Sequence, residues 1–320
     1  MNVLIIGGTG FLGYHAANEL IAKNHRVTVF GLPPAPANGL FPSKVEIHLG
    51  NLDDMSDDDL IALFKGKDAI VFAAGADDRV TPRKPAYPFF KKYNVDSVHR
   101  VYTLAKQAGV KKGIVLGSYF AYFNRIWPEL KLAEKHPYIR SRVEQTRIAF
   151  ETGDGAMAIS VLELPYIFGA MPGKIPLWKP LLKYVFSPFP LFYPAGGTTC
   201  VTAHQVAEAI CGAVQHGRHR QCYTVGGKNL TWVKLLETIC ELAGKHKRVI
   251  TLPNWLVRAG AGVISLVHSL KGLESGLDPV EFVKLQTRNT FVDSSQTRLE
   301  LGYEDEDLKN ALVDTIAASK

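Results

Sequence analysis

The chain has 320 residues, of which 47% are hydrophobic and 21% are charged, and its formal net charge is +7. These values are ordinary for a globular protein and exclude a disordered or fibrous chain. The length suits one large α/β unit, alone or with a smaller lobe. The basic residues are scattered without interleaved aromatic residues, so we expect no nucleic-acid partner.

The amino terminus, MNVLIIGGTG, has no basic region before its apolar run and no small-residue cleavage site after it. It therefore predicts a first strand rather than a secretory signal. The cysteines are far apart and do not form a C-x-x-C pair, so we expect free thiols in a reducing cytoplasm and no metal site. They are Cys200, Cys211, Cys222 and Cys240.

Short apolar runs alternate with helix-length segments through the first half, which is typical of βαβ units. The expected strands are Val3–Ile6, Arg26–Phe30, Val45–Leu49, Ala69–Ala73, Gly113–Leu116 and Ala158–Leu162. The expected helices are Phe11–Lys23, Asp57–Phe64, a long one over Tyr87–Ala108, and Tyr138–Glu151. This order predicts an α/β fold in which residues 1–165 form a Rossmann-type, doubly wound parallel sheet.

The composition changes after Pro165. Residues 172–197 contain six prolines and six aromatic residues, too much proline for one regular helix, so we expect a large apolar loop or lid there. Helical patterns return at Ala203–Val214 and Thr231–Ala243. We expect residues 166–320 to form mainly a smaller substrate-binding lobe, with some segments returning to the first domain.

A second apolar segment covers Pro253–Leu270 and is interrupted by Arg258. It is short for a bilayer crossing, which takes about 20 apolar residues. We therefore expect a buried or interfacial helix. Basic residues near Trp178 and Trp255 would also suit peripheral contact with a membrane.

The motif GGTGFLG follows the first strand and opens a helix. Glycines at this turn let backbone amides and the positive helix end approach an anion closely, so the motif predicts a dinucleotide site. The expected cofactor-binding residues of the motif are Gly7, Thr9, Gly10, Phe11, Leu12 and Gly13.

The end of the second strand reads Phe30-Gly31-Leu32, where NAD-binding proteins usually have an acidic residue for the ribose. Because no carboxylate would repel a 2′-phosphate, NADP(H) is favoured and NAD(H) stays open. No arginine ends the strand. Arg26 and His15 are candidate helpers only.

Several further segments occur in order along the chain. They are LGNLDD at 49–54, YNVDSVHRVYTLAKQAGVKKGIVLGS at 93–118, YIRSR at 138–142, LPYIFG at 164–169, TCVTAHQVAEAI at 199–210 and FVDSSQTRLELGY at 291–303. With GGTGFLG, they make nearly the whole chain resemble the extended short-chain dehydrogenase/reductases, which include NAD-dependent epimerase/dehydratases. This resemblance implies further cofactor contacts at Asn51, Leu52, Ala73, Ala74, Gly75, Pro165 and Ile167.

The same resemblance implies catalytic roles for Asn94, Ser118 and Tyr138. The family pattern is Tyr-x-x-x-Lys, but here Arg142 replaces the lysine. A guanidinium can stabilise a tyrosinate and bind ribose hydroxyls, but it stays protonated and cannot relay a proton. Tyr138 and Arg142 could thus be an active variant, an impaired or non-redox site, or a solvated pair on a helix.

Aromatic and aliphatic residues dominate 175–194 and 255–270, and few cations there could clamp a diphosphate. We therefore predict an NAD(P)(H)-dependent oxidoreductase that interconverts a carbonyl and a secondary alcohol on a hydrophobic substrate. An epimerase/dehydratase that retains its cofactor, or a non-catalytic NAD(P)-binding regulator, are the alternatives. By analogy with relatives, the long helices Tyr87–Ala108 and Tyr138–Glu151 could form a homodimer.

Overall fold

The computed structural model describes residues 1–320. The strands are β1 (Asn2–Ile6), β2 (Arg26–Gly31), β3 (Glu46–Leu49), β4 (Ala69–Phe72), β5 (Lys112–Ser118), β6 (Ala158–Leu164), β7 (Tyr166–Phe168), β8 (Leu191–Pro194), β9 (Gly197–Thr202), β10 (Gln221–Thr224), β11 (Lys228–Thr231), β12 (Val249–Leu252) and β13 (Asn289–Thr290). The chain is thus rich in short strands.

The α-helices are α1 (Phe11–Ala22), α2 (Asp57–Phe64), α3 (Tyr87–Phe90), α4 (Ser97–Gln107), α5 (Tyr119–Ile126), α6 (Leu132–Lys135), α7 (Pro137–Gly153), α8 (Lys179–Phe186), α9 (Ala203–His216), α10 (Trp232–Leu242), α11 (Asn254–Leu270), α12 (Pro279–Gln286), α13 (Ser295–Leu301) and α14 (Leu308–Ala317). A π-helical segment at Lys91–Asp96 joins α3 to α4, and a short 3-10 helix lies at Pro128–Leu130.

A seven-stranded parallel sheet forms the centre, in the order β10-β6-β5-β4-β1-β2-β3. β1 is composed largely of branched aliphatic residues and is buried on both faces, as expected for the middle of a parallel sheet. The strand order reverses between β1 and β4. In such sheets, ligands bind outside the carboxyl ends of the strands at this point. The predicted Rossmann-type fold is confirmed.

Helices cover both faces of this sheet. α1 and α9 supply one core, and α2, α4 and α7 supply the other. α9 starts with a capping box between Thr202 and Gln205, which satisfies amides at its first turn. Both α9 and β10 belong to the central sheet layer although they follow residue 165 in the chain.

A smaller lobe lies beside the sheet. It contains the strands β7, β9, β11 and β13, the two-stranded β8–β12 ribbon, and a third apolar core to which α8, α10 and α14 contribute. The expectation of a large loop at residues 172–197 was wrong, because α8 and β8 form there. Pro180 lies in the first turn of α8, where a missing N–H costs nothing, and Pro194 ends β8.

The long helix expected over Tyr87–Ala108 is not one regular α-helix, because a π-helical segment lies between α3 and α4. The apolar segment Pro253–Leu270 does form a helix, α11, but it is not buried: Ala261 is its one buried residue. α11 packs mainly against α12. No helix of the chain has both the length and the apolar character needed to cross a membrane.

Candidate active site

The turn between β1 and α1 exposes unpaired amides. Gly10 is the N-cap of α1, no side chain caps the helix, and no acidic residue lies in its first turn. The N–H groups of Phe11, Leu12 and Gly13 donate to no acceptor in the chain. Such a helix end attracts an anion, because the free amides and the helix dipole both favour negative charge.

The geometry of this turn requires glycine. Gly7 has a φ of +82°, which is in the left-handed region. A Cβ atom at Gly13 would lie 2.3 Å from the carbonyl oxygen of Gly7, and one at Gly10 would lie 3.2 Å from the same oxygen. The turn can therefore bring its backbone close to a pyrophosphate, and the residues present fit a dinucleotide.

The proposed helpers at the second strand are not supported. Arg26 begins β2, at the opposite edge of the sheet from the glycine turn, so it cannot reach a ribose there. The His15 ring contacts the carbonyl oxygen of Ala170 at 2.9 Å. Asn51 was expected to contact the cofactor. Its side-chain amide instead donates to a carboxylate oxygen of Asp54 at 3.1 Å, within the turn that follows β3.

A cleft of about 490 Å³ opens at the carboxyl edge of the sheet, between the central sheet and the smaller lobe. Ten of the residues expected at the site line it: Phe11, Leu12, Ala73, Ala74, Gly75, Ser118, Tyr138, Arg142, Pro165 and Ile167. Gly7, Thr9, Gly10, Gly13, Asn51, Leu52 and Asn94 do not line it. The cleft thus joins the start of α1 to the tyrosine and arginine of α7.

Tyr138 and Arg142 lie one turn apart near the start of α7. The Tyr138 residue is 5% exposed and Arg142 is 7% exposed. The guanidinium carbon of Arg142 lies 5.1 Å from the centroid of the Tyr138 ring. Tyr138 and Arg142 are therefore not a solvated pair on the helix surface. Of the three interpretations of the motif, this one is excluded.

The Arg142 side chain is held by the protein. Its Nη1 donates to the carbonyl oxygen of Leu116 at 3.3 Å and to Oε1 of Gln145 at 2.9 Å, and its Nη2 donates to the carbonyl oxygen of Ala76 at 3.2 Å. Its Nε is buried without a partner. A buried donor without a partner is a rare exception in a folded protein, so the guanidinium is fully enclosed at this atom.

Asn94 connects the loop after β4 to α7. Its Nδ2 donates to the carbonyl oxygen of Ala76 at 3.1 Å and to Oγ of Ser141 at 3.0 Å, and its Oδ1 accepts from the amide of Ala76 at 2.9 Å. All of these contacts are buried. Asn94 is therefore placed to position the site rather than to touch a substrate, and it lies in the π-helical segment, a feature common at functional sites.

Ser118 ends β5 at the floor of the cleft. Its Oγ also accepts from the amide of Phe120 at 3.3 Å and so caps α5. The residue thus has a structural role and a position in the cleft at once. Because Oγ is the acceptor in this capping contact, the hydroxyl hydrogen remains free to donate to another group.

The chain is similar to known proteins in sequence and in fold. A family model described as NAD(P)H-binding matches residues 7–151. The sterol-4-alpha-carboxylate 3-dehydrogenase (decarboxylating) of Homo sapiens is 30% identical over 73% of this chain and 54% of the human protein. The chain thus spans about half the length of that relative. The corresponding Dictyostelium discoideum protein is 21% identical over 94% of this chain and 95% of its own length.

Among solved structures, a UDP-glucuronic acid 4-epimerase from Bacillus cereus, in complex with UDP-glucuronic acid and NAD, superposes with a TM-score of 0.71. It is 14% identical, over all of this chain and 99% of its own. Residues 7–151 are thus similar to an NAD(P)H-binding family, and the whole chain shares its fold with this epimerase.

The electrostatics of the cleft favour the neutral form of Tyr138. Burial raises the pKa of Tyr138, because the tyrosinate would lose its hydration. The charge of Arg142 and hydrogen bonding with Ser118 oppose this effect but do not outweigh it, so the pKa of Tyr138 lies above its usual value. Tyr138 therefore carries a proton near neutral pH.

The family motifs did not point to a charged cluster in the cleft. Asp77, Asp78 and Arg79 line it directly after β4, and Arg79 pairs with Asp77. Burial, with the neighbouring charge of Asp77, raises the pKa of Asp78. The only sequence signal was a run of three charges immediately after an expected strand. Aromatic residues that line the cleft are Tyr119, Phe120, Tyr166 and Trp178.

Proposed function

We propose that this protein is an extended short-chain dehydrogenase/reductase, an NADP(H)-preferring oxidoreductase that interconverts a carbonyl and a secondary alcohol on a hydrophobic substrate. The observation that carries this proposal is the position of Tyr138 and Ser118 in one cleft with the open amino end of α1. A bound nicotinamide dinucleotide would supply or accept the hydride at this site.

The residues of the cleft have distinct roles in this proposal. In the reducing direction, the neutral hydroxyl of Tyr138 donates its proton to the oxygen of the substrate, and Ser118 hydrogen-bonds the same oxygen. The charge of Arg142, whose side chain lines the cleft, stabilises the tyrosinate that remains. Asn94 keeps the loop after β4 in register with α7.

The lining of the cleft supports a hydrophobic substrate over a nucleotide sugar. A diphosphate needs free cations, preferably arginines. In this cleft Arg79 is paired with Asp77, and Arg142 is held by backbone carbonyls. The carboxylate of Asp77 would also repel a diphosphate. The human and Dictyostelium relatives are named for a sterol substrate, which is in keeping with an aromatic and aliphatic wall.

The preference for NADP(H) rests on the end of β2. Phe30 and Gly31 end this strand without a carboxylate, and a Cβ at Gly31 would lie 2.0 Å from Oγ1 of Thr9, so the turn and the strand end are in close contact. Nothing negative there opposes a 2′-phosphate. Titration with both cofactors tests this preference, and tighter binding of NADH than NADPH would overturn it.

The function is tested by oxidation of NADPH and NADH with steroids, long-chain ketones and aldehydes as substrates. With a substrate in hand, we expect Tyr138→Phe to lower kcat by about 10²–10⁴-fold and to leave the cofactor Kd unchanged, because only the proton donor is removed. Tyr122→Phe is the matched control, since Tyr122 lies on α5 outside the cleft.

Two outcomes would favour the alternatives. A cofactor that remains bound through gel filtration, with no net oxidation of added NADPH, would indicate an epimerase or dehydratase that recycles its hydride. Cofactor binding without turnover of any substrate, unchanged by Tyr138→Phe, would indicate a regulator that binds the dinucleotide and performs no chemistry.

A further inference from the structure

Helix α11 has its two faces reversed relative to an ordinary surface helix. Successive residues of an α-helix are about 100° apart, so one half of the α11 circumference holds its large apolar side chains. These are Trp255, Leu256, Val263, Ile264, Leu266, Val267 and Leu270, and all of them are exposed. The less exposed half, which includes Ala261, Ser265 and His268, is mostly small or polar, with Val257 as its larger apolar residue.

The contacts of α11 agree with this reversal. The helix packs mainly against α12, and the ring of His268 contacts Oγ of Ser275 at 2.8 Å. A water-facing helix normally buries its large apolar residues and exposes its polar ones. An exposed apolar face of this length is a mark of a surface that another phase or molecule covers.

The charge along this segment of the chain has one sign. No acidic residue lies between Glu241 and Glu274, a stretch that contains five Lys and Arg residues. They are Lys245, Lys247, Arg248, Arg258 and Lys271. The whole stretch is therefore apolar and basic, the combination found in segments that bind anionic lipid surfaces.

The β8–β12 ribbon, which leads directly into α11, continues this surface. Phe192 on β8 is the register partner of Ile250 on β12, and both are exposed. Exposed Phe189 lies in the loop before β8, and Nζ of Lys247 donates to its carbonyl oxygen at 3.0 Å. The basic run is thus joined to the apolar ribbon by a direct hydrogen bond.

We propose that the apolar face of α11, together with the exposed residues of the β8–β12 ribbon, docks onto the surface of an anionic lipid bilayer. The helix would lie along the interface with its apolar half among the acyl chains and its lysines and arginines at the headgroups. A second copy of the chain fits this face less well. A two-fold interface would bring together two copies of a stretch that contains five basic residues and no acidic one.

Docking at this surface does not depend on the reaction proposed for the cleft. Loss of bilayer binding would therefore leave the proposed reaction standing, and loss of turnover in Tyr138→Phe would leave bilayer binding standing.

The test is sedimentation of the full chain with vesicles of phosphatidylcholine, alone or mixed with phosphatidylserine. We expect binding to the mixed vesicles at low salt, weaker binding at high salt, and a blue shift of tryptophan emission, because Trp255 is the one exposed tryptophan. Leu266→Glu combined with Leu270→Glu should weaken binding at least tenfold.

Leu299→Glu is the matched control, since Leu299 on α13 is 80% exposed and Leu270 is 79% exposed. It should leave binding unchanged. A second variant, Lys245→Glu with Arg258→Glu, should reduce binding to the vesicles that contain phosphatidylserine more than it reduces binding to pure phosphatidylcholine vesicles. Absence of vesicle binding at low salt would overturn the proposal. So would light scattering that shows a dimer converted to a monomer by the Leu266 and Leu270 changes, because a second copy would then cover α11.

Discussion

Helices α7 and α11 are each 17 residues long, yet their burial contradicts their composition. α7 is the more polar, but nine of its residues are buried, among them Ser141, Arg142 and Gln145. α11 is strongly apolar, but only Ala261 is buried. Buried polar groups and exposed apolar patches are the informative exceptions to ordinary burial, and here each supports one of the two proposals.

The difference comes from the neighbours of each helix. α7 lies against β5, β6, α4 and α5, so its inward polar groups must find partners among carbonyls and side chains of those elements. α11 has α12 as its main neighbour, and nothing else in the chain covers its outer half. Buried polar side chains such as those of α7 suit chemistry or the positioning of other groups. Exposed apolar side chains such as those of α11 suit contact with another molecule or phase.

After Tyr138→Phe, the largest expected effect comes from Arg142. Arg142→Met keeps the length of the side chain but removes its charge and its donors, so we expect kcat to fall by about 10²–10³-fold. Circular dichroism should show that the variant is folded. Arg140→Met on the same helix is the control, because Arg140 is exposed and pairs with Glu144. Turnover unchanged in Arg142→Met would mean that the buried arginine is purely structural.

The next effect concerns pH at the start of α7. Burial lowers the pKa of His136 to about 4, and its Nδ1 accepts the amide of Asp278 at 3.0 Å. The folded chain thus favours the neutral ring. This stabilisation is complete above the ordinary pKa of about 6.5 and is lost as the pH falls toward 4, amounting to about 3 kcal/mol.

Urea unfolding at several pH values measures this loss. His136→Asn should flatten the curve between those two pH values, because the amide oxygen can still accept the Asp278 amide but does not titrate. An unchanged slope in this variant would assign the acid sensitivity to other groups.

The smallest effect should come from α11. Leu266→Ala should change the free energy of unfolding by no more than about 0.5 kcal/mol, because Leu266 is already exposed in the folded chain. Leu20→Ala on α1, fully buried in the core, should cost about 2–5 kcal/mol. A large loss in Leu266→Ala would show that something covers α11 in solution, and the contrast with α7 would then disappear.

Much of the central sheet could be predicted from the sequence. The start of the chain, the glycine turn and Asp57–Phe64 follow from local signals, because apolar periodicity, turn glycines and an N-cap serine act over a few residues. The boundaries of α8 and β8 could not be predicted in this way. The prolines of this segment suggested a loop, but Pro180 and Pro194 lie at positions that a helix start and an edge strand tolerate.

The cleft was harder to predict than the fold. The burial of Asp78 and the pairing of Arg79 depend on which elements pack around the loop after β4, and no periodic pattern records this. The same holds for α11: its composition left a buried and an interfacial helix open, because burial is set by neighbours that lie elsewhere in the chain. The catalytic roles of Ser118, Tyr138 and Arg142 stay predictions.

The peptide of Ala76 is held from both sides. Its oxygen accepts from Asn94 and Arg142, and its nitrogen donates to Asn94. The three charged residues that follow it therefore start from a fixed anchor, independent of their own side chains. Exchange of Asp77, Asp78 or Arg79 would therefore change the charge of the cleft lining and leave the anchored peptide in place, so this short stretch can vary at little cost to the scaffold.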